Sequence, residues 1–145
     1  MKKFTHLLRV RYSECDAQKI VFNGKYADFV DIAATEYSRA VWGNYNEVLA
    51  MGVDSQVVNL NISWRSPSTF DDVLAIEVST GKVGNSSYVF EFEISNYETG
   101  VSVASAQVVY VMVDAVEFIK TSIPEDLRRK LVHGAPGVIV NHAGV

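Results

Sequence analysis

The chain has 145 residues, 48% of them hydrophobic and 11% aromatic, which suits one domain with a substantial core and argues against intrinsic disorder. Its formal net charge is −4, and no stripe of Lys and Arg offers the positive footprint that a nucleic-acid backbone requires. A single cysteine, Cys15, excludes an intramolecular disulfide and a cysteine-rich zinc site. No apolar run of signal-peptide length follows Lys2 and Lys3, and none approaches the ~20 residues that span a bilayer. A cytoplasmic protein with no membrane partner is therefore expected.

Residues 5–14 place Leu8, Val10 and Tyr12 on one parity and Arg9, Arg11 and Ser13 on the other, the pattern of a half-buried strand. A polar connector, Cys15-Asp16-Ala17-Gln18-Lys19, leads to the apolar triplet Ile20-Val21-Phe22 and then to Asn23-Gly24. Asn-Gly reads as a hairpin turn only where both flanks alternate, and the downstream flank does not. There Tyr26, Phe29, Val30, Ala33, Tyr37, Ala40 and Val41 recur at helical spacing, with Asp28, Asp31, Thr35, Ser38 and Arg39 on the other face. This predicts an amphipathic helix over residues 24–42, about 27 Å long, with Asn23 as its N-cap or the neighbour of the cap.

After a loop around Met51 and Gly52, strand signals follow in succession. Val58, Leu60, Ile62 and Trp64 alternate with Asn59, Asn61 and Ser63, and Pro67 ends that strand. A second strand is read over residues 73–80 and a turn over residues 81–86. Tyr88, Phe90, Phe92 and Ile94 then oppose Val89, Glu91, Glu93 and Ser95. Residues 101–114 are largely apolar on both parities, so both faces are expected to be covered, one by the helix and the other by neighbouring strands, a second subunit or both. Pro124, the acidic pair Glu125 and Asp126, and the basic Arg128, Arg129 and Lys130 predict a short closing helix. The pattern is that of an α+β domain over residues 1–132, a long helix packed on an antiparallel sheet, followed by a tail, 133–145, without an evident role.

His6, His133 and His142 form no paired-ligand spacing, so no metal site is expected. There is no nucleophile-elbow serine and no P-loop; Gly81-Lys82-Val83-Gly84 falls between two strands and reads as a hairpin. Asp16 stands out because it precedes a helix whose first N–H groups are free and whose end carries partial positive charge. That environment suits an oxyanion developing on a carbonyl oxygen, and a carboxylate beside it serves as nucleophile or as general base on water. The plain alternative for Asp16 is an Asx-turn former. Glu36 is a second candidate carboxylate, inside the helix, but Arg39 and Thr35 beside it favour a solvated face. Cys15 is read as a small packed side chain.

The segment Tyr12-Ser13-Glu14-Cys15-Asp16-Ala17-Gln18-Lys19-Ile20-Val21-Phe22-Asn23-Gly24-Lys25-Tyr26 resembles the signature of the 4-hydroxybenzoyl-CoA thioesterase family. Trp64-Arg65-Ser66-Pro67, Phe70-Asp71-Asp72 and Gly84-Asn85-Ser86-Ser87 extend the resemblance over residues 5–115. It implies a hotdog fold, in which a five-stranded antiparallel sheet wraps the long helix, and a dimer or tetramer of dimers. It implies hydrolysis of an acyl-CoA thioester to a free acid and CoA, without a cofactor beyond the CoA of the substrate. Asp16 matches the catalytic aspartate, and Asn23 the residue whose backbone N–H polarises the thioester carbonyl, with Gly24 next to it. Arg65 and Lys82 are candidates for the CoA phosphates, Ser86 and Ser87 for the acyl or pantetheine channel. Lys19 stands where many relatives have glycine, and Asn23 where many have histidine. A hotdog dehydratase acting on acyl thioesters would need an active-site histidine, which the helix-entry segment lacks. A non-catalytic acyl-CoA-binding protein is the remaining alternative.

Overall fold

A computed structural model describes residues 2–145; Met1 lies outside the described residues. Strand β1 (Phe4–Arg9) is followed by a single 3-10 turn (Tyr12–Glu14), helix α1 (Lys25–Trp42) and a short helix α2 (Tyr45–Ala50). Strands β2 (Val53–Trp64), β3 (Val73–Val83), β4 (Ser87–Asn96) and β5 (Ser102–Asp114) come next, then helix α3 (Glu125–His133) and strand β6 (Ile139–Asn141). One sheet contains all six strands in the order β2-β5-β4-β3-β1-β6.

The alternation read in the sequence sets the register. Val78 faces Phe92 and Ile76 faces Ile94 across β3 and β4, while Phe90 faces Val108 across β4 and β5. These side chains share the inner face and are buried against Tyr26, Phe29, Ala33 and Tyr37 of α1. Tyr37 packs edge-on against both Phe4 at 5.3 Å and Phe90 at 4.9 Å, and its hydroxyl lies 2.8 Å from Thr80 Oγ1. Trp42 Nε1 donates to the carbonyl of Leu127 at 3.1 Å, tying the C-terminal end of α1 to α3. The long helix cradled by a curved sheet is the hotdog arrangement.

Several boundaries differ from the sequence reading. The first strand ends at Arg9, because the chain turns into the 3-10 segment and leaves Tyr12 80% exposed. The sheet has six strands where five were expected: β6, from the tail, pairs in parallel with β1, Thr5 opposite Ile139 and Leu7 opposite Asn141. A three-residue strand with little alternation carries no strand signal of its own, and its partner supplies the hydrogen bonds. Helix α2 occupies what reads as loop, capped by Asn44 Oδ1 accepting from Asn46 N–H at 2.8 Å. Among the described residues no helix is long and apolar enough to cross a membrane.

The tail also brings His142 to His6, with Nε2 of His6 3.0 Å from Nδ1 of His142. His6 is 1% exposed. Burial, and then the neighbouring His142, pull its pKa down from 6.5 to about 4, against a smaller opposing pull from Glu36. The fold therefore favours neutral His6. Its contribution to stability is complete above pH 6.5 and is lost as the pH falls toward 4, because the unfolded chain binds the proton first. The melting temperature should fall by several degrees more over that window in wild type than in His6→Gln; parallel curves for the two proteins would contradict the assignment.

Candidate active site

The backbone from residue 14 to residue 22 folds back on itself. Cys15 bridges Val21, Asp16 N–H donates to the Ile20 carbonyl at 2.9 Å, and Phe22 N–H donates to the Glu14 carbonyl at 2.9 Å. The tip is closed by Lys19 N–H donating to the Asp16 carbonyl at 2.9 Å, with Lys19 at φ 65. Ile20 bridges Thr69, and Val21 N–H donates to the Ser68 carbonyl at 2.8 Å, so the hairpin is fastened to the segment leaving β2. Lys19 thus occupies the left-handed region that favours glycine.

Asp16 is half-buried at the tip of this hairpin. Its Oδ1 accepts from Gln18 N–H at 2.8 Å, so it does form an Asx-turn, while Oδ2 has no hydrogen-bond partner among the described residues. The carboxylate is held by one oxygen and open at the other.

Helix α1 starts directly beyond the hairpin. Lys25 N–H donates to the Phe22 carbonyl at 2.9 Å, Tyr26 N–H to the Asn23 carbonyl and Ala27 N–H to the Gly24 carbonyl, both at 3.3 Å. The N–H groups of Asn23 and Gly24 have no acceptor among the described residues, and both residues are exposed. The cap position is Gly24, with no side-chain cap bond, so Asn23 is the neighbour of the cap. A side chain at Gly24 would put its Cβ 2.8 Å from Cε2 of Phe22, whose ring lies against the helix start. Two free donors at a helix N-terminus form an anion-binding corner.

The remaining candidates divide between the two ends of the sheet. Arg65 follows β2 at the end near the hairpin, where it donates to the hydroxyls of Ser102 at 3.2 Å and Ser105 at 3.1 Å and pairs with Glu93 at 3.5 Å. Lys82 lies at the far end of β3 and is exposed, with no ion-pair partner among the described residues. Ser86 is buried, its carbonyl accepting from Met112 N–H at 2.7 Å, and Ser87 opens β4 opposite Val111. Within one chain these three are a full strand length, about 30 Å, from the Asp16 end. Glu36 pairs with Arg39 at 2.6 Å, and Cys15 Sγ packs 3.9 Å from the Arg11 carbonyl.

A cavity of about 340 Å³ lies at that far end, under the second half of α1, lined among others by Asp31, Trp42, Ser55, Tyr88 and Tyr110. Tyr88 and Tyr110 stack 4.9 Å apart, and the Tyr88 hydroxyl donates to Ser55 Oγ at 2.6 Å. Burial, and then the charge of Asp31, push the Tyr110 phenol up, so it remains a neutral donor. The sequence marked Asp31 only as part of a polar helix face. Nor did it flag Glu14, whose carboxylate is buried within the 3-10 turn.

A long helix wrapped by a mostly antiparallel sheet, entered through a short hairpin that carries Asp16, defines a hotdog domain. The chain belongs to the thioesterase superfamily, whose family model matches residues 18–103, and it is a thioester hydrolase. The match begins two residues after Asp16. The chain is 27% identical over 120 residues to the acyl-CoA thioester hydrolase YbgC of Escherichia coli O6:H1, covering 83% of this chain and 89% of that one. The 1,4-dihydroxy-2-naphthoyl-CoA thioesterase Slr0204 of Synechocystis has the same fold, with a TM-score of 0.80, 18% identity and coverage of 89% and 95% of the two chains. So does SAV2348 of Staphylococcus aureus in complex with CoA, with a TM-score of 0.84, 13% identity and coverage of 92% and 85%.

The backbone strain at Lys19 is directly testable. A left-handed conformation costs an L-residue about 1–2 kcal/mol, partly offset by the entropy that glycine loses on folding. Lys19→Gly should raise unfolding free energy by about 0.5–1 kcal/mol, measured by urea titration. A loss of stability would show that the lysine side chain contributes more than the turn strain removes.

Proposed function

We propose that this chain hydrolyses acyl-CoA thioesters, with Asp16 as the catalytic carboxylate and the N-terminus of α1 as the oxyanion site. The observation that carries the reading is the pair of unengaged N–H groups at Asn23 and Gly24, next to a hairpin that leaves Asp16 Oδ2 free. Donation from those N–H groups to the thioester oxygen polarises the carbonyl and stabilises the tetrahedral oxyanion. Asp16 either attacks the carbonyl carbon, forming an acyl-enzyme that water then cleaves, or takes a proton from the attacking water. In both routes the C–S bond breaks and CoA leaves as the thiol. The backbone donors need no imidazole at position 23. His6 and His142 are bonded to each other at the β1–β6 edge, which disfavours a dehydratase.

The second part of the proposal is a homodimer, or a tetramer of dimers, built on β2. This strand has twelve residues and an outer edge without a partner, and Val57, Val58, Leu60 and Trp64 are all exposed. Such a long apolar edge is a template for pairing. Two-fold pairing of antiparallel β2 strands sets the two α1 helices in opposite directions. The Asp16 hairpin of one subunit then lies toward the partner's cavity end, where Lys82, Ser86, Ser87 and the aromatic lining reside. That arrangement would unite residues that a single chain keeps apart.

Asp16→Asn keeps the turn-forming oxygen and removes the charge. Hydrolysis of the best substrate from an acyl-CoA panel should fall by about 10²–10⁴-fold, while CoA-ester binding and melting temperature change little. A variant within threefold of wild type would move attention to Glu36. Light scattering at micromolar protein should give at least twice the chain mass of 16.1 kDa; a monomer would remove the composite site.

A further inference from the structure

Among the described residues Glu14 is the one buried carboxylate, 5% exposed, and a buried charge persists only where it is fully bonded. Its Oε1 accepts from Arg11 N–H at 2.7 Å, and its Oε2 accepts from Arg11 Nη2 at 2.9 Å. The two partners differ sharply in exposure, 6% for the Glu14 side chain and 72% for Arg11. The guanidinium therefore adds little by itself, and the weight of the contact falls on the backbone N–H of Arg11. The main chain of Glu14 reaches the other way: its carbonyl accepts from Phe22 N–H at 2.9 Å, directly before the free N–H groups of Asn23 and Gly24. Two residues further on is Asp16.

The 3-10 turn that carries Glu14 has only two backbone bonds, Glu14 N–H to the Arg11 carbonyl at 3.0 Å and Cys15 N–H to the Tyr12 carbonyl at 3.2 Å. One such turn is weak, and its exposed Tyr12 contributes little burial. The side chain of Glu14 closes the turn back onto the end of the first strand, and its carbonyl fastens the returning strand of the hairpin.

We propose that Glu14 is a positioning residue: it fixes Asp16 and the two free N–H groups in one frame without touching the substrate. This rests on the site assignment made above for Asp16, Asn23 and Gly24. Misplacement of reacting groups by about 1 Å costs on the order of 10²-fold. In Glu14→Met both Arg11 donors, the backbone N–H included, lose their acceptor at nearly unchanged side-chain size.

The test is a double-mutant cycle with a structural readout beside it. Glu14→Met should lower kcat about 10- to 100-fold with KM within threefold. It should also speed amide exchange of residues 12–24 at least tenfold, with the sheet unchanged. Arg11→Met keeps the backbone N–H bond and should stay within threefold of wild type. In an Asp16→Asn background, Glu14→Met should cost almost nothing further, because it acts through Asp16. A Glu14→Met enzyme with kcat within threefold of wild type, or with unchanged exchange over residues 12–24, overturns the proposal. So does full additivity in the cycle. A wild-type protein that cleaves no acyl-CoA would instead defeat the function proposed above, and the exchange comparison would still decide whether Glu14 holds the segment.

Discussion

The burial of one face of α1 against the inner face of the sheet is the constraint on which the rest of the molecule depends. Tyr26, Phe29, Ala33 and Tyr37 are at most 2% exposed, and so are Ile76, Phe90, Phe92 and Ile94 opposite them. Each such side chain contributes roughly 1.5–3 kcal/mol relative to exposure, far more than any single surface ion pair here. Once that seam is closed, the helix direction is fixed, and with it the end of the sheet at which the helix N-terminus emerges. The free donors of Asn23 and Gly24 are a consequence of where the helix begins.

The segment that enters the helix follows a different logic. Between Val10 and Phe22 little apolar surface is available, and geometry is set by polar contacts: the Asx-turn of Asp16, the buried carboxylate of Glu14, the left-handed Lys19. Such contacts are individually modest but specific in direction. A carboxylate that acts on a substrate needs direction more than it needs burial, which agrees with the role proposed for Asp16 in this polar stretch.

The sheet's two edges are treated differently. On one side the tail adds β6 and docks His142 and Ala143 against β1, which occupies that edge. On the other, β2 ends the sheet with apolar side chains in solvent. A longer, more apolar edge left open is what supports the dimer proposed on β2. The cavity beneath α1 and the hairpin of Asp16 lie at opposite ends of the chain, as a composite site related by a two-fold axis would require.

Periodicity identified the long helix to within a residue, the alternating strands with Tyr88, Phe90, Phe92 and Ile94 inward, and the short helix after Pro124. These are local patterns: the period of the apolar residues is the period of the backbone, and burial only has to agree with it. The place of Asp16 between a strand and a helix start was legible for the same reason, since it is a matter of order along the chain. Other features depend on residues far apart, for which no local signal exists. His6 and His142 are 136 residues apart in sequence, and β6 is a strand only because β1 lies beside it. The exposed side of β2 reads as an ordinary half-buried strand until the sheet order shows that it is an edge. Glu14 carries no burial signal of its own, and only the closing of the turn onto Arg11 reveals it as buried. Pattern sets what each segment can form; long-range pairing decides which faces meet, and therefore which polar groups are left free to act.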